Sequence, residues 1–292
     1  MKFGVRLPGA GPYARPEAIT AFAQKAEELG FDSLWMTDHI ALPVQLETKY
    51  PYREDGKFFW PPDTPYLDCI GVLTWASACT SRIKVGSSVL IAGWHEPITT
   101  AKALATLDNL NGGRTILGVG TGWMKEQFEM LHSPFETRGR RTTEFIALMK
   151  HLWSADTIDF QGEFFQYSGF KFYPKPLSKP SIPIWSGGKS DGVLRRVAAV
   201  GDGWHPVFIA PDELEEKIAL LEKYLAEVGR SIDEITISAR PLGQATLDKA
   251  TIQRYADLGV ELLIADTSFE HTNLQSMIDD LSKVADQVMP LA

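Results

Sequence analysis

Short alternating or β-branched runs recur along the chain, with amphipathic stretches of helical period between them. Lys2–Leu7 alternates as a strand should. Pro16 then opens a helix with Ile19, Phe22, Ala23, Ala26 and Leu29 on one stripe and Gly30 as its stop. Further strands are predicted at Ser33–Thr37, Lys84–Leu90, Thr115–Gly120, Ile182–Trp185, Gly203–Val207, Glu234–Ser238 and Glu261–Ala265. Gly203–Val207 is the weakest of them. The helix Asp212–Val228 carries Leu214, Ile218, Leu221, Leu225 and Val228 on one face, and the last helix carries Leu274, Ile278, Leu281, Ala285 and Val288 similarly. Eight strands, each followed by a helix, are what a (β/α)₈ TIM barrel of the α/β class requires. A doubly wound open sheet competes, but it seldom needs so many repeats in a row. No linker interrupts the pattern, so one domain over residues 1–292 is expected.

Two intervals are too long for simple connections. Ile40–Pro65 follows the second strand and holds Tyr50, Tyr52, Phe58, Phe59 and Trp60 among prolines. Ile158–Ser181 reads as a hairpin or extended excursion, punctuated by Gly162 and Gly169. They absorb the excess of a 292-residue chain over a barrel of about 250 residues. Long loops in compact folds are usually lids or binding loops. The aromatics of the first excursion suit either a lid or a small core of its own.

Composition narrows the classes. With 44% hydrophobic and 23% charged residues, the chain is not a disordered one. Its charge, 29 − 37 = −8, gives no general attraction to nucleic acid. No signal sequence and no membrane span are visible, so a cytoplasmic protein is expected. Cys69 and Cys79 are ten apart on one predicted helix, about 15 Å at 1.5 Å per residue. That is too far for a disulfide, and two buried structural thiols are expected.

Active sites of such barrels lie at the C-terminal ends of the strands. Here those ends offer Pro8-Gly9, Asp38-His39, Ser88-Val89, Thr121-Gly122-Trp123, Ser186-Gly187-Gly188, His205, Arg240 and Asp266. No lysine stands at a strand tip, which argues against a Schiff-base aldolase. No pair of opposed carboxylates appears, which argues against a glycosidase. No metal-ligand spacing is found among the six histidines. Gly118-Val119-Gly120-Thr121-Gly122 is not a dinucleotide fingerprint, because it follows the wrong strand and Trp123 replaces the third glycine. It reads better as backbone relieved for close approach of a flat ligand. Ser186-Gly187-Gly188 precedes a helix near Asp191 and suits a phosphate; a tight turn with positive φ is the plainer alternative. Arg138, Arg141 and Glu144 open a helix and read as a solvated or capping ion-pair cluster. The sum is a barrel that positions a borrowed cofactor.

Four segments then resemble a known group: Ala26–Ile40, Ser81–Leu90, Asn111–Glu129 and Ile182–Trp204. In this order and spacing they are similar to the luciferase-like monooxygenase superfamily, and within it to the oxidoreductases that use the deazaflavin coenzyme F420. The resemblance implies a luciferase-like barrel with a flavin-type cofactor at its mouth. It implies that His39 lies beside the redox ring, with Asp38 near the ring or holding that histidine. It implies a cis peptide at Ser88-Val89 behind the ring, contact through Thr121, and phosphate binding at Gly187 and Gly188, with Lys189 as a nearby cation. Sugar-phosphate dehydrogenases of the group carry a glutamate where this chain has Trp123, and a tryptophan near its Pro43. Trp123, His205 and Trp60 are therefore expected around a pocket for a small, apolar or planar substrate. Trp123 could equally be a core anchor, and His205 a structural hydrogen-bonder.

Three functions follow as expectations. One is hydride transfer between F420 and a small organic molecule, with His39 handling the accompanying proton. The second is an FMN-dependent monooxygenase. The third is a catalytically silent flavin-binding barrel whose mouth Trp123 fills. A homodimer is implied by the resemblance alone.

Overall fold

The computed structural model describes residues 1–241, 247–268 and 270–291. In chain order its strands are β1 (Lys2–Arg6), β2 (Ser33–Met36), β3 (Lys84–Ser87), β4 (Leu90–Ile91), β5 (Thr115–Gly120), β6 (Ile158–Gln161), β7 (Gln166–Phe170), β8 (Ile184–Gly187), β9 (Gly203–His205), β10 (Thr236–Ala239) and β11 (Leu262–Ala265). The helices are α1 (Pro16–Glu28), α2 (Cys69–Ala78), α3 (Pro97–Leu110), α4 (Lys125–Met130), α5 (Arg138–Ser154), α6 (Asp191–Val200), α7 (Pro211–Glu227), α8 (Lys249–Asp257) and α9 (Leu274–Val288). β3 pairs with β2 on one side and β5 on the other, which closes a parallel barrel in the order β2, β1, β11, β10, β9, β8, β5, β3/β4. β6 and β7 form a separate antiparallel hairpin, as the second excursion allowed.

Local chemistry sets the helix starts. Pro16 and Pro211 begin α1 and α7, where a missing N–H costs nothing. The side chains of Asp68, Glu96 and Asp248 accept the first free N–H groups of α2, α3 and α8.

Alternation along the strands divides the apolar residues into two sets. Phe3, Val5, Leu34, Val85, Ile237 and Leu263 belong to the main core cluster beneath the helices. Trp35, Ile116, Trp185, Leu262 and Ile264 form a separate cluster inside the barrel. Trp35 stacks on Trp185 with centroids 5.5 Å apart. Two indoles fit because the neighbouring strands carry glycine beside them. A Cβ on Gly4 or Gly86 would lie 2.6 Å from the Trp35 side chain, and one on Gly203 would lie 2.4 Å from Trp185.

The third barrel strand departs from the sequence reading, which ran it unbroken from Lys84 to Leu90. Gly86 pairs with Ile116, and Leu90 with Val119, so four steps on one strand match three on its neighbour. The extra residue is a bulge. The Ser88-Val89 peptide within it is cis. Other boundaries shift slightly. Ile232–Glu234 is a 3₁₀ turn closed by a capping box from Ser231, so β10 starts later than the apolar pattern suggested. Cys69 is buried, but Cys79 ends α2 only half-buried, so the expectation of two buried thiols is corrected. No helix of the described residues is long and apolar enough to cross a membrane.

Candidate active site

The glycines of β5 explain themselves first. A Cβ on Gly118 would lie 2.0 Å from the Ser87 carbonyl oxygen, one on Gly120 2.5 Å from Val89, and one on Gly187 2.6 Å from Val89. The protein's own bulge, and not a flat ligand, is what these three positions must admit. Gly188 takes a φ of +105°, as the tight-turn reading of Ser186-Gly187-Gly188 requires.

A bulge leaves backbone groups out of register, and two side chains hold it. Asp38, just past β2, accepts the Ile91 N–H at 2.9 Å and binds His95 Nε2 at 2.8 Å. The Asp38 carboxylate is thus engaged with the bulged strand and His95, not with His39. Burial would lower the His95 pKa, but Asp38 outweighs it and raises it. From the barrel interior, His205 Nε2 meets Ser88 Oγ at 2.9 Å. His205 Nδ1 meets Ser238 Oγ at 2.7 Å, and Ser238 donates onward to the Trp204 carbonyl. Ser238 has spent its hydrogen, so His205 carries its proton on Nδ1 and accepts from Ser88. Burial, reinforced by Arg240, takes its pKa down to about 3. His205 is fully buried and stacks on Trp35 at 5.1 Å. It is a structural relay under the mouth, which corrects its placement in a substrate pocket.

Three adjacent strand ends supply a charged cluster. Arg6 from β1 and Arg240 after β10 converge on Asp266 after β11, with Arg6 Nε and Arg240 Nη2 both 2.8 Å from Oδ1 and Arg240 Nε 2.9 Å from Oδ2. Burial alone would raise the Asp266 pKa, but the two guanidiniums hold it below the usual carboxylate range. Two cations on one anion leave a buried excess of positive charge at the rim.

His39 follows Asp38 and is partly buried. Its ring lies 5.1 Å from Phe58, 5.0 Å from Tyr66 and 5.7 Å from Trp94. Burial pushes its pKa down to about 4, against the opposing charge of Asp38. A histidine titrating near neutrality was expected; the ring is neutral at pH 7. Gln127 of α4 lies 2.7 Å from His39 Nδ1.

The first excursion spans the mouth. Tyr50 and Phe58 pack on Trp123 after β5, at 5.0 and 5.5 Å. Tyr52 meets Phe208 beyond β9. Tyr66 bonds Thr37 beyond β2, and Trp60 covers Gly11 beyond β1. Tyr50 also packs on Tyr52, Phe58 and Phe59, so the roof is its own small core as well. Trp60, with Leu42, Val44 and Met124, lines a groove of about 400 Å³ in the roof. Glu126 of α4 fastens this roof by accepting the N–H groups of Glu47 and Thr48, both at 2.9 Å.

A flavin-type cofactor can be tested against these residues. Val89, Thr121, Trp123 and His39 are partly exposed around the mouth. Ser190 stands at the N-cap of α6 without capping it, and a Cβ on Gly192 in the first turn would touch nothing within 4 Å. The Ser190 carbonyl takes the Val193 N–H at 2.9 Å, so the N–H groups of Asp191 and Gly192 are the ones that fit a phosphate beside this open space. Lys189 is less available than expected, because it is paired with Glu213 at 2.7 Å. Arg138, Arg141 and Glu144 form no ion-pair cluster. Arg138 lies over the Phe135 ring, Arg141 over Phe164, and Glu144 accepts three N–H groups at the β6–β7 turn. Sequence reasoning missed Arg6, His95, Glu126, Gln127 and Ser238. Only Arg6 left a signal, as a cation in the inward register of a strand.

Comparison with known proteins agrees with this geometry. The family model for luciferase-like monooxygenases matches residues 1–279. An uncharacterised protein of Mycobacterium tuberculosis is 32% identical over 289 residues, 95% of this chain and 98% of that one. The F420-dependent glucose-6-phosphate dehydrogenase of Kineococcus radiotolerans is 32% identical over 192 residues, 65% of this chain and 52% of its own. An FMNH2-dependent dimethylsulfone monooxygenase of Pseudomonas putida is 35% identical over 131 residues, 44% of this chain and 36% of its own. Among solved structures, the monooxygenase RslO1 from Streptomyces bottropensis superposes with a TM-score of 0.77 at 18% identity, covering 100% of this chain and 99% of that one. The coenzyme F420-dependent tetrahydromethanopterin reductase of Methanopyrus kandleri does so with a TM-score of 0.72 at 18% identity, covering 99% of each. These structures share the fold, and the sequence relatives include users of both F420 and FMN. With a closed parallel barrel and a family match over residues 1–279, the chain belongs to the luciferase-like monooxygenase family.

Proposed function

We propose that this chain is an oxidoreductase that binds coenzyme F420 in the barrel mouth and moves a hydride to or from a small, uncharged organic substrate. The observation that carries the reading is His39, neutral and partly exposed beside the bulged strand and under the aromatic roof. The deazaflavin, when bound, supplies the two-electron hydride chemistry. The chain supplies the rest. The N–H groups of Asp191 and Gly192 in the first turn of α6 would take the phosphate; Gly188 shapes the turn before them, its own N–H donated to the His205 carbonyl at 3.4 Å. Val89 would back the ring, with Thr121 and His39 beside it. Tyr50, Phe58 and Trp123 would wall the substrate side and exclude water, which favours an apolar or planar substrate over a sugar phosphate. The longer match to an F420-dependent relative supports F420 over FMN.

A side-by-side titration tests this. F420 should change its fluorescence on binding, while FMN should not bind at comparable concentration. Binding of FMN alone would overturn the reading in favour of the monooxygenase, which the Pseudomonas putida relative favours. If neither binds, the packing of Tyr50 and Phe58 on Trp123 supports the silent barrel instead. In the active protein, His39→Ala should leave F420 affinity nearly unchanged and lower turnover by about 100-fold. Unchanged turnover would remove His39 from the chemistry.

A further inference from the structure

α4 is a short helix with two adjacent polar residues that reach in different directions. Glu126 fastens the roof. Gln127 is buried, 1% exposed, and makes three contacts. Its Oε1 accepts the Ile40 N–H at 3.4 Å. Its amide nitrogen lies 3.1 Å from Met124 Sδ and 2.7 Å from His39 Nδ1. These contacts fix which end of the amide is which. A backbone N–H needs an acceptor and a thioether sulfur accepts only, so the oxygen faces Ile40 and the NH2 faces Met124 and His39. The amide therefore donates to His39 Nδ1. A ring nitrogen that accepts carries no proton, so the proton of His39 sits on Nε2.

We infer that Gln127 is a positioning residue. It holds His39 as the neutral Nε2–H tautomer, so that His39 offers the barrel mouth a fixed hydrogen-bond donor in place of a mobile proton. The inference deepens the proposed oxidoreductase reading and rests on it for activity, but the state of the imidazole stands by itself. The surroundings act in the same direction. Phe58 and Trp94 desolvate the ring and disfavour imidazolium. The titratable groups facing it are Asp38 from the end of β2, which is engaged with His95 and Ile91, and Tyr66 from the end of the roof. A neutral donor needs no ionisation near working pH. It can stabilise negative charge developing on a substrate oxygen without being consumed by a general base.

Nitrogen NMR of histidine-labelled protein without cofactor tests the inference directly. Wild type should show His39 with a protonated Nε2 and a bare Nδ1, unchanged from pH 8 down to about 5. A protonated Nδ1, or a titration near neutrality, would overturn it. Gln127→Glu places an acceptor where the donor was. The proton should then move to Nδ1 and the His39 pKa should rise by about 1–3 units. Gln127→Met removes the donor without adding charge and should leave a mixture of tautomers. A folded variant of either kind with the wild-type His39 spectrum would overturn the inference. In turnover, Gln127→Glu should lower kcat more than it raises KM and add an ionisation to an otherwise flat profile between pH 5 and 8. A wild-type-like profile in that folded variant would count against the positioning role. Absence of F420 binding would strike the proposed function and leave the tautomer result standing.

Discussion

Individual residues in the barrel interior carry sharply different kinds of stabilisation. Asp266 compensates two buried guanidiniums. Asp266→Ala should destabilise by about 3–5 kcal/mol, measured by chemical denaturation, because both cations stay buried without their counter-ion. The sign of its pH dependence follows from the lowered pKa. Its contribution is complete above the unfolded value of about 3.8 and is lost as pH falls through the folded one. His205 also gives acid lability, but over a higher window. Its folded pKa of about 3 lies below the ordinary 6.5, so burying the neutral ring stabilises fully above 6.5 and progressively less toward pH 3. Stability measured between pH 7 and 4 should fall by up to about 1.4 kcal/mol per unit from this group. His205→Asn should reduce that slope but not abolish it, because His39, lowered to about 4, contributes in the same direction; an unchanged slope would show that other groups set it. These residues were legible as strand ends, but their partners were not. Ser88, Ser238 and His205 lie on three different strands, and nothing in their sequence separations announces a relay.

Among the elements, α4 and the first excursion act together. The excursion has little regular hydrogen bonding of its own, so its aromatic contacts and the Glu126 clamp hold it. Glu126→Ala should loosen the roof while leaving the barrel intact. The expected result is faster limited proteolysis between residues 43 and 62, with a melting temperature within a few degrees of wild type. Equal cleavage rates would place the restraint in the aromatic cluster alone. The aromatics themselves were visible in the sequence, and both readings offered for them, lid and small core, hold at once. The clamp was not visible. Glu126 and Gln127 are adjacent on a six-residue helix, and only docking against the roof and His39 gives each its partner.

At the scale of the whole molecule, a chain of net charge −8 has to attract an anionic cofactor if the proposed function holds. Local groups must then outweigh the global field. Glu213 neutralises Lys189 beside the α6 turn, so Glu213→Gln should tighten F420 binding and steepen its salt dependence. An unchanged affinity would take Lys189 out of the phosphate site. The repeating strand–helix pattern by itself determined the barrel, because apolar period is a local property and eight such repeats close most simply on themselves. The turn glycine Gly188 and the position of the roof were likewise written in the order of residues. Tertiary structure decided what the chemistry-bearing residues do. It turned Asp38 toward His95, drew His205 beneath the bulge, spent Gly118, Gly120 and Gly187 on admitting the bulge at Ser87–Val89, and gave His39 a donor from α4. Protonation state and hydrogen-bond direction depend on burial and on partners distant in sequence, and both exist only once the barrel has closed.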